Sequence, residues 1–243
     1  MQALLLCAGL GTRMKHLTKD TPKALVPVNG KPLIAWNLEK LKKAGFQKVI
    51  VNVHHYAQQI KDYLKEQDYF GLDIQISDES KQLLETGGAI KHARNYIDTV
   101  EPLLIHNVDI ITDLDLTDLM ASHQANDGIA TLAVRSRQTS RYLIFEEESL
   151  HLTGWTNIKT KETKLSRVTT LMVANFGFSG VHVIDPSLFD FFSKEKAFSI
   201  IEVYLKAART KNVYAYPHEK DIWYDVGKPE SVELAEKALE KIF

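Results

Sequence analysis

Short apolar runs alternate along the chain with segments in which apolar residues recur every three or four positions. Residues 3–6 form the first apolar run, which predicts a buried strand. Residues 32–43 carry Ile34, Leu38 and Leu41 at i, i+4 and i+7, and this spacing predicts one buried helix face. The same patterns predict further strands at 49–53, 72–76, 103–105, 129–134, 141–145, 150–154, 176–183 and 212–216. They predict further helices at 57–66, from Gly88 onward, at 116–122, at 198–209 and at 229–243.

This order of elements predicts an α/β protein with three layers, in which helices cover both faces of a mixed, mostly parallel sheet. We treat residues 1–243 as a single domain because no Pro/Gly/Ser-rich linker or internal repeat divides them. Residues 135–175 are rich in Lys, Arg and Thr. They are interpreted either as an inserted lid or subdomain or as an exposed hairpin.

Composition narrows the class of partner. The formal charge is −1, and no block of basic residues provides the surface that a nucleic-acid-binding protein needs. No apolar run reaches membrane-spanning length, and the N-terminus lacks the order of regions found in a signal peptide. The single cysteine, Cys7, cannot form an internal disulfide. We therefore expect a cytoplasmic protein, monomeric or a small homo-oligomer, without nucleic-acid or membrane partners.

A glycine-containing turn follows the first strand and has two cations nearby. Gly9 and Gly11 allow a sharp turn that brings backbone N–H groups close to an anion. Arg13 offers a planar fork of donors for phosphate oxygens, and Lys23 offers a compact charge that can follow a reacting phosphoryl group. The combination predicts a binding site for a nucleoside triphosphate.

Two other glycine-rich motifs are excluded by their spacing. The dinucleotide fingerprint needs a third glycine where Met14 stands. The P-loop needs a glycine five residues before Gly30, and Leu25 occupies that position. The glycine-containing sequence therefore matches neither the dinucleotide fingerprint nor the P-loop.

Carboxylates matter because triphosphate chemistry normally uses Mg²⁺, held by one or two of them together with substrate oxygens. Asp109 follows the strand at 103–105, at the strand end where open α/β sheets bind ligands. Asp225 ends a short predicted strand before the last helix. Either aspartate alone could also be a helix cap or turn former. Asp113 and Asp115 form a D-x-D that we interpret as a helix cap, although metal-dependent glycosyltransferases use the same pattern.

Residues 84–88 supply a further recognition segment. Two glycines at the start of a helix let a flat base or sugar approach the backbone, and the helix N-terminus presents free N–H groups. We assign Thr86, Gly87 and Gly88 to the nucleotide. Glu85 is left open between a contact to the sugar and an electrostatic role at the helix start.

The glycine turn and its cations resemble the signature L-x-A-G-x-G-T-R…P-K of the sugar-1-phosphate nucleotidyltransferases, or nucleotide-sugar pyrophosphorylases. The matching positions are Leu6, Ala8, Gly9, Gly11, Thr12, Arg13, Pro22 and Lys23. Weaker similarity covers 84–88, 107–109 and 223–227. The resemblance implies a Rossmann-like nucleotidyltransferase fold, a glycine loop around the triphosphate, and Mg²⁺ on Asp109 and Asp225. Val108 stands where the family has glycine.

The sugar side carries a weaker pattern. Many members of the family bind the sugar phosphate with the lysine of a Glu-Lys-Pro run, and this sequence has no such run. Three lysines of the corresponding region are interpreted as candidates for that role or as ordinary exposed charges: Lys159, Lys161 and Lys164. Further sugar-phosphate candidates are Asn175, Gly180 and Glu202.

The implied reaction is direct nucleotidyl transfer, in which an oxygen of a sugar 1-phosphate attacks the α-phosphorus and pyrophosphate leaves. No protein nucleophile is needed, because a phosphate monoester has a second pKa of about 6 and is largely dianionic at neutral pH. Catalysis then comes from positioning and charge neutralisation. Arg13 is assigned to the leaving pyrophosphate, and Lys23 to the α-phosphoryl oxygens.

The choice of substrates is the finest expectation. The segment at 84–88 and the run Phe178-Ser179-Gly180 resemble uridylyltransferases of N-acetylmuramic acid 1-phosphate, and a glycine-lined slot suits the smaller pyrimidine. UTP and that sugar phosphate are therefore preferred, with GTP and mannose or heptose 1-phosphate next. Other classes left open are a phosphocholine-type cytidylyltransferase, a metal-dependent glycosyltransferase and a catalytically silent nucleotide-binding module.

Overall fold

The computed structural model describes residues 1–239 of the chain. Its strands are β1 (Gln2–Leu6), β2 (Pro27–Val28), β3 (Lys31–Pro32), β4 (Lys48–Val53), β5 (Asp73–Asp78), β6 (Leu103–Asn107), β7 (Ile110–Thr112), β8 (Ala130–Arg135), β9 (Arg141–Glu146), β10 (Leu152–Asn157), β11 (Glu162–Leu165), β12 (Val173–Ile184), β13 (Val213–Pro217) and β14 (Trp223–Asp225). Its α-helices are α1 (Leu33–Lys43), α2 (Ala57–Glu66), α3 (Glu85–His92), α4 (Leu116–Ala125), α5 (Ile200–Ala207) and α6 (Pro229–Leu239).

Ten strands form one mixed sheet. Eight of them follow the order β11-β10-β9-β12-β6-β1-β4-β5, and β8 pairs with both β12 and β13 beside this path. The neighbours β6, β1, β4 and β5 are parallel. Only β10 and β12 run against the other eight strands of this sheet. The carboxyl ends of most strands therefore meet at the same edge.

Helices cover both faces of this sheet. Successive residues of a strand point to opposite faces, so Leu5 faces the layer formed by α1, α2, α4 and α6, whereas Leu4 faces the layer of α3 and α5. Apolar residues of α1 such as Leu38 and Leu41 are fully buried on the first face. The predicted α/β class with helices on both faces is thus confirmed.

The bounds that the sequence patterns predict agree with those of most observed elements to within a few residues. The helix predicted at 32–43 is α1, and the one predicted at 198–209 is the shorter α5. The last predicted helix is α6 as far as Leu239, whereas 240–243 lie outside the described residues. Residues 135–175 provide β9, β10, β11 and the start of β12, which extend the same sheet. Within residues 1–239, no helix combines the length and the apolar character needed to cross a bilayer.

Candidate active site

A cavity opens at the edge where β1, β4 and β6 end. The last residue of β1, Leu6, lies opposite Asn52 of β4 and Asn107 of β6, so three strand ends converge there. The cavity has a volume of about 250 Å³. Its walls are formed by Leu6, Ala8, Gly9, Lys23, Asn52, Glu79, Leu83, Glu85, Thr86, Ala89, Asn107, Val108 and Asp109. Seven of the residues assigned from the sequence thus surround one space: Leu6, Ala8, Gly9, Lys23, Glu85, Thr86 and Asp109.

The glycine turn after β1 is fixed at one glycine and open at the other. Gly11 has a left-handed φ of 65°, and a Cβ there would lie 2.8 Å from Cγ2 of Thr18. The Thr18 hydroxyl donates to the Gly11 carbonyl at 2.9 Å. Around Gly9 no atom lies within 4 Å of the position of a Cβ. The turn is therefore held by packing at Gly11, while Gly9 faces free space, with Thr12 and Arg13 exposed after it.

Lys23 and Asp109 form a largely buried ion pair across the cavity. Lys23 is only 8% exposed, and its ammonium group donates directly to Oδ2 of Asp109. A buried ammonium group is costly unless a counter-charge neutralises it. The ammonium group of Lys23 is thus held at the cavity wall, where an incoming phosphate can also bind it.

Asp225 lies beside Asp109 because of a two-stranded pairing. In the antiparallel pair of β7 and β14, Asp225 stands opposite Ile110, and the Val226 amide donates to the Asp109 carbonyl at 2.8 Å. Burial and then the Asp109 charge raise the pKa of Asp225, while Lys23 is the strongest of the cations that oppose this. Oδ1 of Asp225 is buried and has no hydrogen-bond partner.

Arg13 and the same aspartate lie on either side of Gly227. A Cβ at position 227 would lie 2.6 Å from Oδ1 of Asp225 and 2.8 Å from Nη2 of Arg13. Only a residue without a side chain fits between these two groups. The structure therefore brings together Arg13, Lys23, Asp109 and Asp225, which the sequence assigned separately.

This arrangement fits a magnesium ion that also binds substrate phosphates. Within residues 1–239, no group of three or more His, Cys, Asp or Glu side chains could hold a metal alone. Mg²⁺ usually takes one or two carboxylates and completes its coordination with water and phosphate oxygens. Asp109 and Asp225 supply two carboxylates, and the unpartnered oxygen of Asp225 is an available ligand. These residues would hold the ion.

The D-x-D aspartates do not join this pair. Asp115 caps α4, and its carboxylate accepts hydrogen bonds from the amides of Thr117 and Asp118. Asp113 accepts from the amide of Ile222 at 2.7 Å. The interpretation as a helix cap is confirmed for Asp115 and wrong for Asp113, whose carboxylate binds the backbone of the segment before β14 instead.

The far wall of the cavity contains a buried carboxylate that the sequence analysis missed. Glu79 follows β5 and is 3% exposed. Its Oε1 accepts from the Asn52 amide, whose own oxygen accepts from the Cys7 backbone N–H at 2.6 Å. Oε2 of Glu79 is buried without a hydrogen-bond partner, and burial raises the pKa of this carboxyl. One sequence signal could have located Glu79. A polar residue lies at the carboxyl end of each of two neighbouring parallel strands, Asn52 on β4 and Glu79 after β5.

The segment at 84–88 divides into cavity-lining and packing residues. Glu85 and Thr86 line the cavity, and the Thr86 hydroxyl accepts from the Ile200 amide at 3.0 Å. Gly87 and Gly88 do not line it, and their amides donate to the Phe198 carbonyl. They allow α3 to lie directly against the segment before α5.

The residues assigned to the sugar side are spread apart. Gly180 has a φ of 78°, and a Cβ there would lie 2.8 Å from Nδ2 of Asn107, a cavity residue. Asn175 lies further along β12, opposite Ile144 of β9. Lys164 is partly exposed and forms an ion pair with Glu202 at 2.6 Å. Lys159 and Lys161 are exposed between β10 and β11.

Comparison with known proteins agrees with this site. Residues 2–242 match the family model described as Nucleotidyl transferase, so the chain belongs to this family and the predicted resemblance to sugar-1-phosphate nucleotidyltransferases is confirmed. It is 33% identical over 231 residues to the N-acetylmuramate alpha-1-phosphate uridylyltransferase of Neisseria meningitidis serogroup B, covering 93% of both chains. It is 30% identical over 238 residues to the D-glycero-alpha-D-manno-heptose 1-phosphate guanylyltransferase of Campylobacter jejuni, covering 95% of this chain and 96% of that one.

The fold is also similar to solved structures. A UDP-glucose pyrophosphorylase complexed with UDP-glucose superposes with a TM-score of 0.78 at 21% identity. The match covers 100% of this chain and 99% of the pyrophosphorylase. At this identity the likeness supports the fold, and it agrees with the mixed sheet and its flanking helices.

Proposed function

We propose that this nucleotidyltransferase uses UTP and N-acetylmuramic acid 1-phosphate, and releases the nucleotide sugar and pyrophosphate. Overall similarity does not separate this assignment from a guanylyltransferase, because the Neisseria and Campylobacter relatives are 33% and 30% identical. The observation that carries the proposal is the buried carboxylate of Glu79 at the cavity wall.

Glu79 supports a uracil base through the number of acceptors that it leaves free. Oε1 is occupied by the Asn52 amide, and only Oε2 lacks a partner. Uracil presents one ring N–H between two carbonyl oxygens, whereas guanine presents a ring N–H and an adjacent amino group. A single free oxygen matches the single donor of uracil, and a buried site that hydrogen-bonds its ligand discriminates against partners that leave polar groups unpaired.

The proposed chemistry needs no nucleophile from the protein. An oxygen of the sugar phosphate forms a bond to the α-phosphorus of UTP, and the bond from that phosphorus to the oxygen bridging it to the β-phosphorus breaks. The electron pair of the broken bond leaves with pyrophosphate. Because the attacking phosphate is largely dianionic at neutral pH, no general base is required. The protein contributes positioning and charge neutralisation.

The side chains divide this work by position. Arg13 follows the open glycine turn and would bind the phosphates that leave as pyrophosphate. Lys23 would share its charge between Asp109 and the α-phosphoryl oxygens. Asp109 and Asp225 would hold Mg²⁺, which, when bound, supplies positive charge to the phosphate oxygens. Contacts of Thr86 to the nucleotide and of Glu85, Gly180 and Asn175 to the sugar are parts of the same proposal.

The test is a matrix of activities. Pyrophosphate release is measured with UTP, CTP, dTTP, ATP and GTP against N-acetylmuramic acid, mannose, heptose and glucose 1-phosphates, with phosphocholine as a non-sugar acceptor. The highest kcat/KM is expected for UTP with N-acetylmuramic acid 1-phosphate. If GTP is better than UTP with every acceptor, the uridylyl assignment is wrong, and mannose or heptose guanylyl transfer replaces it.

A further inference from the structure

The acceptor substrate brings a phosphate dianion to a site that already contains two partly buried carboxylates. Positive charge is needed near Asp109 and Asp225 on the side from which this phosphate arrives. The lysines considered from the sequence do not supply it, because Lys164 is already neutralised by Glu202 and Glu162 at the surface. A different cation lies close to Asp225.

Arg137 occupies the loop after β8, between β12 and β14. Its Nη2 donates to the Phe178 carbonyl at 3.1 Å. The centre of its guanidinium group lies 4.8 Å from the centroid of the Trp223 ring, and the indole N–H of Trp223 donates to the Ser179 carbonyl at 2.9 Å. Trp223 belongs to the same three-residue strand as Asp225, so the guanidinium group is held next to the metal-binding edge.

The backbone of β12 makes room for this side chain. A Cβ at Gly177 would lie 2.8 Å from both Cγ and Nε of Arg137. Any larger residue at position 177 would push the guanidinium group away from β12. The position of Arg137 therefore depends on a specific glycine and a specific aromatic ring.

Arg137 still has unused hydrogen-bonding capacity. A guanidinium group carries five N–H donors, but the Nε atom of Arg137 is buried without a partner. Among residues 1–239, no carboxylate oxygen lies within 4.0 Å of the Arg137 nitrogens. Partial burial lowers the pKa of Arg137, and the Asp225 charge opposes this most. The group is thus a partly desolvated cation without an ion-pair partner among the described residues.

We propose that Arg137 binds the phosphate of the sugar 1-phosphate on the β12 side of Asp225. This inference rests on the proposed function and names a residue for its acceptor. The planar fork suits two phosphate oxygens, and stacking on Trp223 fixes the plane of the fork. Arg13 and Lys23 approach from the glycine turn, whereas Arg137 approaches from β8, so the triphosphate and the acceptor phosphate meet different cations.

The test compares Michaelis constants for the two substrates. In Arg137→Gln, the KM for the sugar 1-phosphate should rise about tenfold or more, because a charge-assisted contact to its phosphate is lost. The KM for the triphosphate should change less than about twofold, because Arg137 does not contact that substrate. Arg137→Lys should fall between this variant and the parent, since it keeps the charge but loses the fork. Gly177→Ala should raise the same KM by displacing Arg137.

Arg135, the last residue of β8, offers a matched control two positions before Arg137. It also lies over Trp223, at 5.8 Å, but its guanidinium group donates to the backbone carbonyls of Asp221 and Glu219. Arg135→Gln should leave the KM for the sugar 1-phosphate within about twofold of the parent, because both Nη groups of Arg135 already donate to backbone carbonyls. An equal rise in both variants would mean that a general disturbance of this segment, and not the loss of Arg137, is responsible.

A binding measurement separates this inference from the proposed function. N-acetylmuramic acid 1-phosphate is titrated calorimetrically into the parent protein and Arg137→Gln without a triphosphate, so turnover is not needed. A dissociation constant about tenfold weaker in the variant supports the inference. Equal constants, or no binding to either protein, overturn it. Weakened binding without any transfer activity would overturn only the assigned reaction.

Discussion

At the scale of single residues, the centre of the site is a set of charges with too few partners inside the protein. Asp109 is neutralised by Lys23, but Oδ1 of Asp225 has no hydrogen bond, and burial disfavours its charge. An uncompensated buried carboxylate costs stability unless a ligand supplies the missing positive charge. The unfavourable local electrostatics agree with the proposed binding of Mg²⁺ and phosphate groups at this site.

Replacing Asp225 by asparagine tests this view. Asp225→Asn keeps the shape but removes the charge, so kcat in Mg²⁺ should fall by about a hundredfold or more, as expected when a metal ligand is weakened. The midpoint of thermal unfolding should stay equal or rise, because a poorly compensated buried charge is gone. Asp190→Asn, at an exposed position, is the control for both measurements. Full activity of Asp225→Asn would remove this residue from the metal site.

The carboxylate of Glu79 makes a separate prediction about base choice. Glu79→Gln offers an amide where the carboxylate had its free oxygen, and an amide N–H can donate to the ring nitrogen that cytosine has in place of the uracil N–H. The ratio of kcat/KM for UTP to that for CTP should fall about tenfold or more. Glu85→Gln, which changes another carboxylate of the cavity wall, should keep the ratio. An unchanged ratio in Glu79→Gln would contradict base recognition by this residue.

At the scale of elements, the glycines of the site perform two different tasks. Gly9 belongs to an open turn, whereas a Cβ at Gly88 would lie 2.2 Å from the Lys196 carbonyl oxygen. Both positions come from recognisable glycine motifs. The sequence therefore located both motifs, but it could not tell that Gly88 packs against protein, since that depends on the approach of α5 to α3.

The two alanine substitutions should consequently behave in opposite ways. Gly88→Ala should lower the free energy of unfolding by about 1–3 kcal/mol, because the added methyl group overlaps a backbone oxygen. Gly9→Ala should leave this free energy nearly unchanged, because the added methyl group meets no protein atom. It should raise the KM for the triphosphate, because the methyl group occupies space that the triphosphate needs. Urea denaturation and steady-state kinetics of both variants check this. Equal losses of stability would show that Gly9 is also a packing residue.

Local pattern and long-range pairing explain which elements were predicted. Helix α1 and strand β1 follow from apolar spacing within a short window, and both were predicted nearly to the residue. The pairing of β7 with β14 joins residues more than a hundred positions apart and leaves no local signal. That pairing places Asp225 beside Asp109, so the sequence indicated both aspartates but only the fold explains their proximity. Glu79 and Arg137 were missed for the same reason.

At the scale of the whole molecule, the central sheet and its flanking layers shield two histidine side chains from water. His106 on β6 and His182 on β12 are both buried, and neither ring nitrogen of His182 has a hydrogen-bond partner. Burial lowers the pKa of His106 to about 4 and that of His182 to about 3. Both rings are therefore neutral in the folded protein at physiological pH.

The stability of the whole chain should therefore fall on mild acidification. In the unfolded chain each histidine is protonated below about pH 6.5. In the folded protein His106 is protonated only below about pH 4, and His182 only below about pH 3. The unfolded state then holds more protons, so the free energy of unfolding decreases as the pH falls from about 6.5 to about 5, by up to about 1.4 kcal/mol per pH unit for each ring. Urea denaturation at several pH values between 7.5 and 5 measures this slope. His182→Leu should remove part of it, since His123 and His218 also have pKa values lowered by burial. Ile184→Val, which lies on the same strand and removes no titratable group, should shift the curve without changing the slope. A slope in His182→Leu equal to that of the parent would show that His182 is not kept neutral by the fold.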